Sequence, residues 1–313
     1  MSKAPIIVTV YDRPRHFRQC IEALLRNGPA KESELYVVSD APGKPDHASK
    51  IDQVRAYAQS ITGFKKVHLV FREENYGGHR SALTIAQQVS AKHGRFIFLE
   101  DDVVASPNFL DYMNDGLNYY ESDKRIFSIA AYTLPIQFPK AFKSDVFFLP
   151  SHCPWGLATW QDRWERVDFS AKDRYAVAMR DRKLFKKIIS SGNYIIHILR
   201  ADSQGQVEAG DVRICFHQFI HDVYTVYPRV SKAMNIGLDG SGMHSGTDKK
   251  NKYSVQADTS IHKTTFDADV RLDPAIIRRI RNYQNGNLWE SLVNSIILAK
   301  HRWMDKNRTK HCK

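Results

Sequence analysis

Short apolar runs separated by amphipathic stretches fill the first third of the chain. Ile6–Tyr11, Leu35–Ser39, Val67–Arg72 and Arg95–Leu99 are apolar and rich in β-branched residues, and read as buried strands. Between them, Pro14–Asn27, Ala48–Ile61 and His79–His93 have the pattern of helices. Pro14 falls in a first turn, where its missing N–H is no loss, and Asn27-Gly28-Pro29 is a stop. Strands alternating with helices of about ten to fifteen residues predict a mainly parallel sheet covered on both faces.

After Asp102 the alternation loosens. Ser106 is the expected N-cap of a helix reaching about Glu121. Ile126–Ala131 and Val146–Leu149 are further strands in this reading, while Arg180–Gly192, Val207–Asp222 and Pro274–Trp303 are helical. Gly237–Gly246 is loop material, and Asp248–Asp258 is strongly polar. The pattern divides the chain into a catalytic unit over residues 1–250 and a basic helical extension over 251–313.

Composition narrows the classes. Apolar residues make up 42% and charged residues 26% of 313, ordinary values for a chain able to bury a core. No apolar run is long enough to cross a bilayer, and Met1 leads into the first strand without signal-peptide anatomy, so the expected location is cytoplasmic. Cys20, Cys153, Cys215 and Cys312 form no CxxC pair, which argues against a zinc site. Net charge is +12, yet residues 271–313 hold ten Lys/Arg against three Asp/Glu. Cations gathered at one end suit peripheral contact with an anionic membrane and not a broad nucleic-acid face. Pro274–Trp303 has apolar residues near helical spacing, including Ile276 and Ile280, with Arg278, Arg279 and Arg281 between them. Packing on the catalytic unit is the plainer use of that face; attraction to a membrane is the expected use of the tail Lys300–Lys313.

Chemistry concentrates at Glu100-Asp101-Asp102. Three carboxylates follow the strand Phe96-Ile97-Phe98-Leu99, and ligands of open α/β sheets gather at the carboxyl ends of strands. Adjacent carboxylates repel one another unless a cation compensates them, and hard oxygen ligands suit Mg²⁺ or Mn²⁺. A solvated acidic turn before the next helix is the competing reading. Asp102 is the leading metal ligand; Glu100 and Asp101 are assigned to sugar or ribose hydroxyls.

The triplet and its sequel, Val-Val-Ala-Ser-Pro-Asn-Phe-Leu-Asp-Tyr, resemble the signature of N-acetylglucosaminyltransferase I and its bacterial family-2-like relatives. The similarity runs along residues 5–246. It includes Val8-Thr9-Val10-Tyr11-Asp12-Arg13, Val37-Val38-Ser39-Asp40, Pro154-Trp155-Gly156-Leu157-Ala158 and Val226-Tyr227-Pro228-Arg229-Val230-Ser231, leading to Gly240–Gly246. Each motif is weak alone; five in order are not. The resemblance implies a GT-A (nucleotide-diphospho-sugar transferase) fold and an inverting transfer from a nucleotide-sugar donor, commonly UDP-linked, with Mn²⁺ or Mg²⁺. The acceptor would be a glycan or lipid-linked glycan. By position, Arg13 would meet the diphosphate, Tyr11 the nucleotide, and Asp40 the uracil N–H. The base would be an acid on a later helix, ahead of the closing segment; Asp211 is the best match and Glu208 the alternative, because the tryptophan that flanks this acid in the family is missing here.

Other positions stand between function and plain structure. Arg13 at a helix start opposes the helix dipole, which a phosphate partner would explain. Gly77-Gly78 lets backbone approach an anion, with His79 or Arg80 beside it, although this is no Walker loop. Trp155 is assigned to stacking on sugar and Trp160 to the core. His244, in a Gly/Ser-rich loop, is a candidate for metal or diphosphate. His217 and His221 lack the companions of a zinc site. A nucleotidyltransferase would need a Gly-rich basic loop after the first strand, and Tyr11-Asp12-Arg13-Pro14 is not one. A nucleic-acid-binding module and a catalytically silent protein of the same fold are the remaining competing classes.

Overall fold

The computed structural model describes residues 2–242, 252–260 and 262–286. Its central strands are those whose side chains are apolar on both faces. In β1 (Ile6–Val10), Ile6, Val8 and Val10 enter one core with Leu35, Val37, Ile97 and Leu99. Ile7 enters the opposite core with Tyr36, Val38 and Phe96. A strand buried on both sides has no polar face to offer water, so it must lie inside the sheet with helices above and below.

α1 (Pro14–Leu25) follows, with Phe17, Cys20, Ile21 and Leu24 on its buried stripe. Then come β2 (Glu34–Ser39), α2 (Ala48–Ser60), β3 (Lys66–Phe71), α3 (Gly78–His93) and β4 (Arg95–Glu100). β5 (Val103–Ala105) leads into α4 (Phe109–Tyr119), β6 (Ile126–Ala130), β7 (Val146–Leu149) and β8 (Leu157–Trp160). Five helices come next: α5 (Gln161–Trp164), α6 (Arg174–Arg180), α7 (Arg182–Ser191), α8 (Tyr194–Ser203) and α9 (Gly210–His221). β9 (Tyr224–Pro228), β10 (Ala233–Asn235) and α10 (Pro274–Asn285) complete the described elements.

The eight-stranded sheet has the order β3-β2-β1-β4-β8-β6-β9-β7. β3, β2, β1 and β4 run parallel, as do β6 and β9; β8 is antiparallel to both β4 and β6, and β7 to β9. The expected α/β architecture, a mainly parallel sheet flanked by helices in the GT-A manner, is the one found. β1, β2 and β4 therefore end on the same edge, beside the loops that follow them.

Several boundaries differ from the sequence reading. The helix expected to start at Ser106 begins at Phe109. Ser106 instead closes a turn, its carbonyl accepting from the Phe109 N–H at 3.1 Å and its hydroxyl bonding Asn108 at 2.7 Å. Residues 207–209 stay outside α9, held by Asp202, which accepts the Ala209 N–H at 3.2 Å. β8, α8 and the β5–β10 pair are absent from the sequence reading; β5 and β10 are three residues each, too short for a periodicity of their own.

Within 252–260 and 262–286, several side chains pack on the preceding unit. The Lys232 ammonium pairs with Asp258, and Phe266 stacks on Tyr112 and Tyr119. Ile276 and Ile280 of α10 are buried against Phe147 and Tyr227, while Arg278, Arg279 and Arg281 stay exposed. The apolar face of α10 is thus used inside the protein. Trp289, Trp303 and the tail Lys300–Lys313 lie outside the described residues.

Candidate active site

Glu100 ends β4, and the chain turns at once through Asp101 and Asp102, which are only 3% and 5% exposed. Such burial of carboxylates needs compensating donors. The nearest is Arg13, which β1 delivers to the same edge. Its guanidinium pairs with Asp101 and reaches Asp102 Oδ2 at 2.9 Å, and the Tyr11 N–H also donates to Asp101. Burial works against the Arg13 charge, but Asp101 and Asp102 outweigh it and keep the guanidinium ionised.

One guanidinium does not balance the acids gathered here. Burial first, then the charges of Asp102 and Asp101, push the Glu100 carboxyl up to about 8. Burial raises Asp101 to about 7 despite Arg13. Asp211, in the first turn of α9, adds a further negative charge that acts on Glu100. The dominant feature is an excess of carboxylate in a poorly hydrated place, which is the charge balance of a cation site. Among the described residues, no three His, Cys, Asp or Glu side chains already converge as a ligand cluster. A cation holding one or two protein carboxylates and completing its shell with phosphate oxygens does not require one. Carboxylate oxygens are donors of the kind that Mn²⁺ and Mg²⁺ take.

A second chain segment seats itself on the triplet. β10 pairs antiparallel with β5, and the Ile236 N–H donates to the Asp102 carbonyl at 2.9 Å. Asn235 Nδ2 donates to Asp102 Oδ1 at 3.2 Å, and Gly237 packs directly against the Asp102 carboxylate. Sequence reasoning missed both residues. Their only signal is a polar, Gly-containing stretch, and the pairing that gives them meaning spans over a hundred residues.

The expected nucleotide side lies across the ends of β1 and β2. Asp40 is 5% exposed, and its oxygens accept the N–H groups of Ala41, Tyr76 and Gly77 at 3.0, 2.9 and 2.8 Å. A carboxylate has about four acceptor positions, so roughly one remains for a ligand. Asp40 mainly shapes the loop before α3, in which Gly77 adopts φ +75°, a conformation that favours glycine. The Tyr11 hydroxyl bonds His47 Nδ1 at 2.7 Å and accepts the Gly43 N–H at 2.9 Å, tying the loop after β2 to the end of β1. Gly78 opens α3 and is exposed, as is Arg80, which lies over the Tyr76 ring at 3.9 Å. His79 turns away toward α9, with Nε2 3.1 Å from Arg213 Nη1.

The two candidate bases separate in space. The charge of Asp211 acts on Glu100, whereas Glu208 is exposed and its charge falls on His79. Trp155 stands just beyond β8, in a turn where Gly156 has φ +88° and its N–H donates to the Pro154 carbonyl at 2.9 Å. It packs edge-on to Tyr132 at 4.6 Å and to Tyr253 at 5.8 Å. Trp160 is 3% exposed and belongs to the core, as expected. The rings of His217 and His221 lie 4.4 Å apart beside Phe127, and among the described residues neither joins a set of three metal-ligating side chains. His244 lies outside the described residues.

Residues 6–136 match the family described as glycosyl transferase family 2. No curated protein matches the chain. Among solved structures, it is similar to the mannosyltransferase PcManGT from Pyrobaculum calidifontis, in complex with GDP-Man and Mn²⁺. That pair shares 15% identity and a TM-score of 0.40 over 57% of this chain and 52% of the other. S. aureus TarS gives 15% identity and a TM-score of 0.39, over 53% of this chain and 30% of TarS. Mouse xyloside xylosyltransferase 1 gives 12% and 0.38, over 70% and 83%. The chain thus spans about half of the mannosyltransferase and under a third of TarS.

Proposed function

We propose that this chain, a glycosyltransferase with a family 2 domain over residues 6–136, moves a sugar from a nucleotide-diphosphate donor to a saccharide or lipid-linked hydroxyl. UDP is the nucleotide of choice, the reaction is metal-dependent, and the configuration at the anomeric carbon inverts. The observation that carries the reading is the run of three acidic side chains at the end of β4, with Asp101 and Asp102 buried and Arg13 reaching both.

Asp102 would hold Mn²⁺ or Mg²⁺, whose chemistry when bound is to neutralise a diphosphate. Arg13 would meet the same diphosphate through Nη1, its Nε and Nη2 being engaged by Asp101 and Asp102. Tyr11 and the Asp40-shaped loop of residues 75–78 would border the nucleoside, with Gly78 and Arg80 at its rim. Glu100 and Asp101 would accept from ribose or sugar hydroxyls. Trp155 would border the acceptor side. Asp211 would take the proton of the acceptor hydroxyl as that oxygen bonds to the anomeric carbon and the bond to the diphosphate breaks. Asp211 is preferred to Glu208 because its charge acts directly on Glu100.

A panel of UDP-, GDP- and dTDP-sugars, scored for Mn²⁺-dependent binding and hydrolysis, tests the reading. Tight metal-dependent binding of one nucleotide class, abolished in Asp102→Ala, is the expected result; binding unchanged by that substitution refutes it. Product configuration by NMR tests inversion separately.

No helix among the described residues is long and apolar enough to cross a membrane. With Ile276 and Ile280 buried, any membrane contact by α10 would be electrostatic through its exposed arginines. Liposome flotation with and without anionic lipid tests this, and equal recovery at low salt removes the idea.

A further inference from the structure

We infer that Asn235 and Gly237 are positioning residues for the cation site, which β10 delivers to Asp102 from more than a hundred residues away; the inference rests on the metal-dependent reading above.

The backbone comes first. Asn235 pairs with Val103, the residue after Asp102, and the Ile236 N–H caps the Asp102 carbonyl at 2.9 Å. These contacts fix where residues 235–237 lie relative to the triplet. The Asn235 amide then joins two groups. Its Nδ2 donates to Asp102 Oδ1 at 3.2 Å, and its Oδ1 accepts the Gly237 N–H at 2.9 Å. With Arg13 on Oδ2 at 2.9 Å, each oxygen of Asp102 faces a donor, so the plane of the carboxylate is set before any ligand arrives.

Gly237 is required by space and not by backbone angle, since its φ lies outside the left-handed region. A methyl group there would stand 2.0 Å from Asp102 Oδ2 and 2.8 Å from Arg13 Nη1, distances no Cβ tolerates. Any side chain at 237 would force apart the carboxylate and the guanidinium that are meant to meet a cation and a diphosphate. The pair therefore works as one device: Asn235 aims Asp102 and holds the Gly237 backbone, and Gly237 lets that backbone come close.

The test is calorimetric titration of the full chain with UDP and with GDP, each with and without Mn²⁺, on the parent, Asn235→Ala and Gly237→Ala. Thermal midpoint is recorded alongside. Expected in Asn235→Ala are unchanged metal-free nucleotide binding and a small drop in midpoint from the two lost hydrogen bonds, with the Mn²⁺-dependent gain in affinity reduced roughly 10–100-fold. Gly237→Ala should lose that gain entirely. If both variants keep the parent's Mn²⁺-dependent gain, the inference is wrong. It is equally wrong if metal-free binding and midpoint fall in step with it, since that marks a general structural role. A parent that gains nothing from Mn²⁺ with either nucleotide overturns the proposed function itself.

Discussion

Asp258→Asn should destabilise the protein by about 2 kcal/mol at neutral pH, and the loss should shrink as the solution is acidified. Asp258 pairs with Lys232, and the two side chains are only 12% and 6% exposed. Asp258 also accepts the Ser260 N–H at 2.8 Å and lies 3.1 Å from Asn108 Nδ2. Burial opposes its ionisation, but Lys232 and the Ser260 and Asn108 contacts prevail, lowering the carboxyl from 3.8 to about 2. A shift of nearly two units corresponds to roughly 2.4 kcal/mol. The sign follows from a folded-state pKa below the unfolded one. The stabilisation is complete above about pH 4, and disappears as pH falls through the folded value. At about pH 3, roughly half should remain. Urea denaturation of parent and variant at about pH 7 and about pH 3 measures both quantities. A difference below about 0.5 kcal/mol at neutral pH, or one equal at the two pH values, would refute the reasoning. The same pair bears on the site, because Lys232 immediately precedes β10. Its N–H donates to the Ala131 carbonyl at 2.7 Å and its carbonyl accepts the Ser106 N–H at 2.8 Å, so loss of Asp258 should also weaken Mn²⁺-dependent nucleotide binding.

Further outcomes follow from individual contacts. Asp211→Asn should lower turnover by roughly 10²–10⁴-fold with donor binding retained, whereas Glu208→Gln should stay within a few-fold; steady-state kinetics with the matched acceptor decides between them. Asp40→Asn turns an amide donor toward the Tyr76 or Gly77 N–H, and should cost about 1–3 kcal/mol in denaturation and raise the donor KM. Ile276→Ala should cost about 2–5 kcal/mol, because the residue is 1% exposed against Phe147 and Tyr227; a change below about 0.5 kcal/mol would show that α10 packs elsewhere.

The alternating half of the fold is legible in the chain because each element there declares itself locally. Ile6–Val10 and Arg95–Glu100 are apolar on both faces, so burial between helices is their only stable fate. Glu100-Asp101-Asp102 is legible for a related reason, since three carboxylates after a buried strand need a partner whatever surrounds them. Trp160 in the core and the packed face of α10 also follow from side-chain chemistry alone.

Tertiary structure decided everything that depends on two distant segments meeting. Read along the chain, Arg13 suits a phosphate; in the fold it already pairs with Asp101 and Asp102. Asp40 suits a nucleobase by its place after β2, and the fold commits most of its acceptor capacity to the loop at Tyr76 and Gly77. Asp211 and Glu208, three residues apart, compete along the chain with Asp211 the better match; in the fold the charge of Asp211 acts on Glu100, while Glu208 is exposed and its charge acts on His79. Asn235 and Gly237 are invisible because no local pattern records a three-residue strand pairing across the chain. Periodicity and burial are properties of neighbours in sequence, whereas the field at a carboxylate depends on neighbours in space.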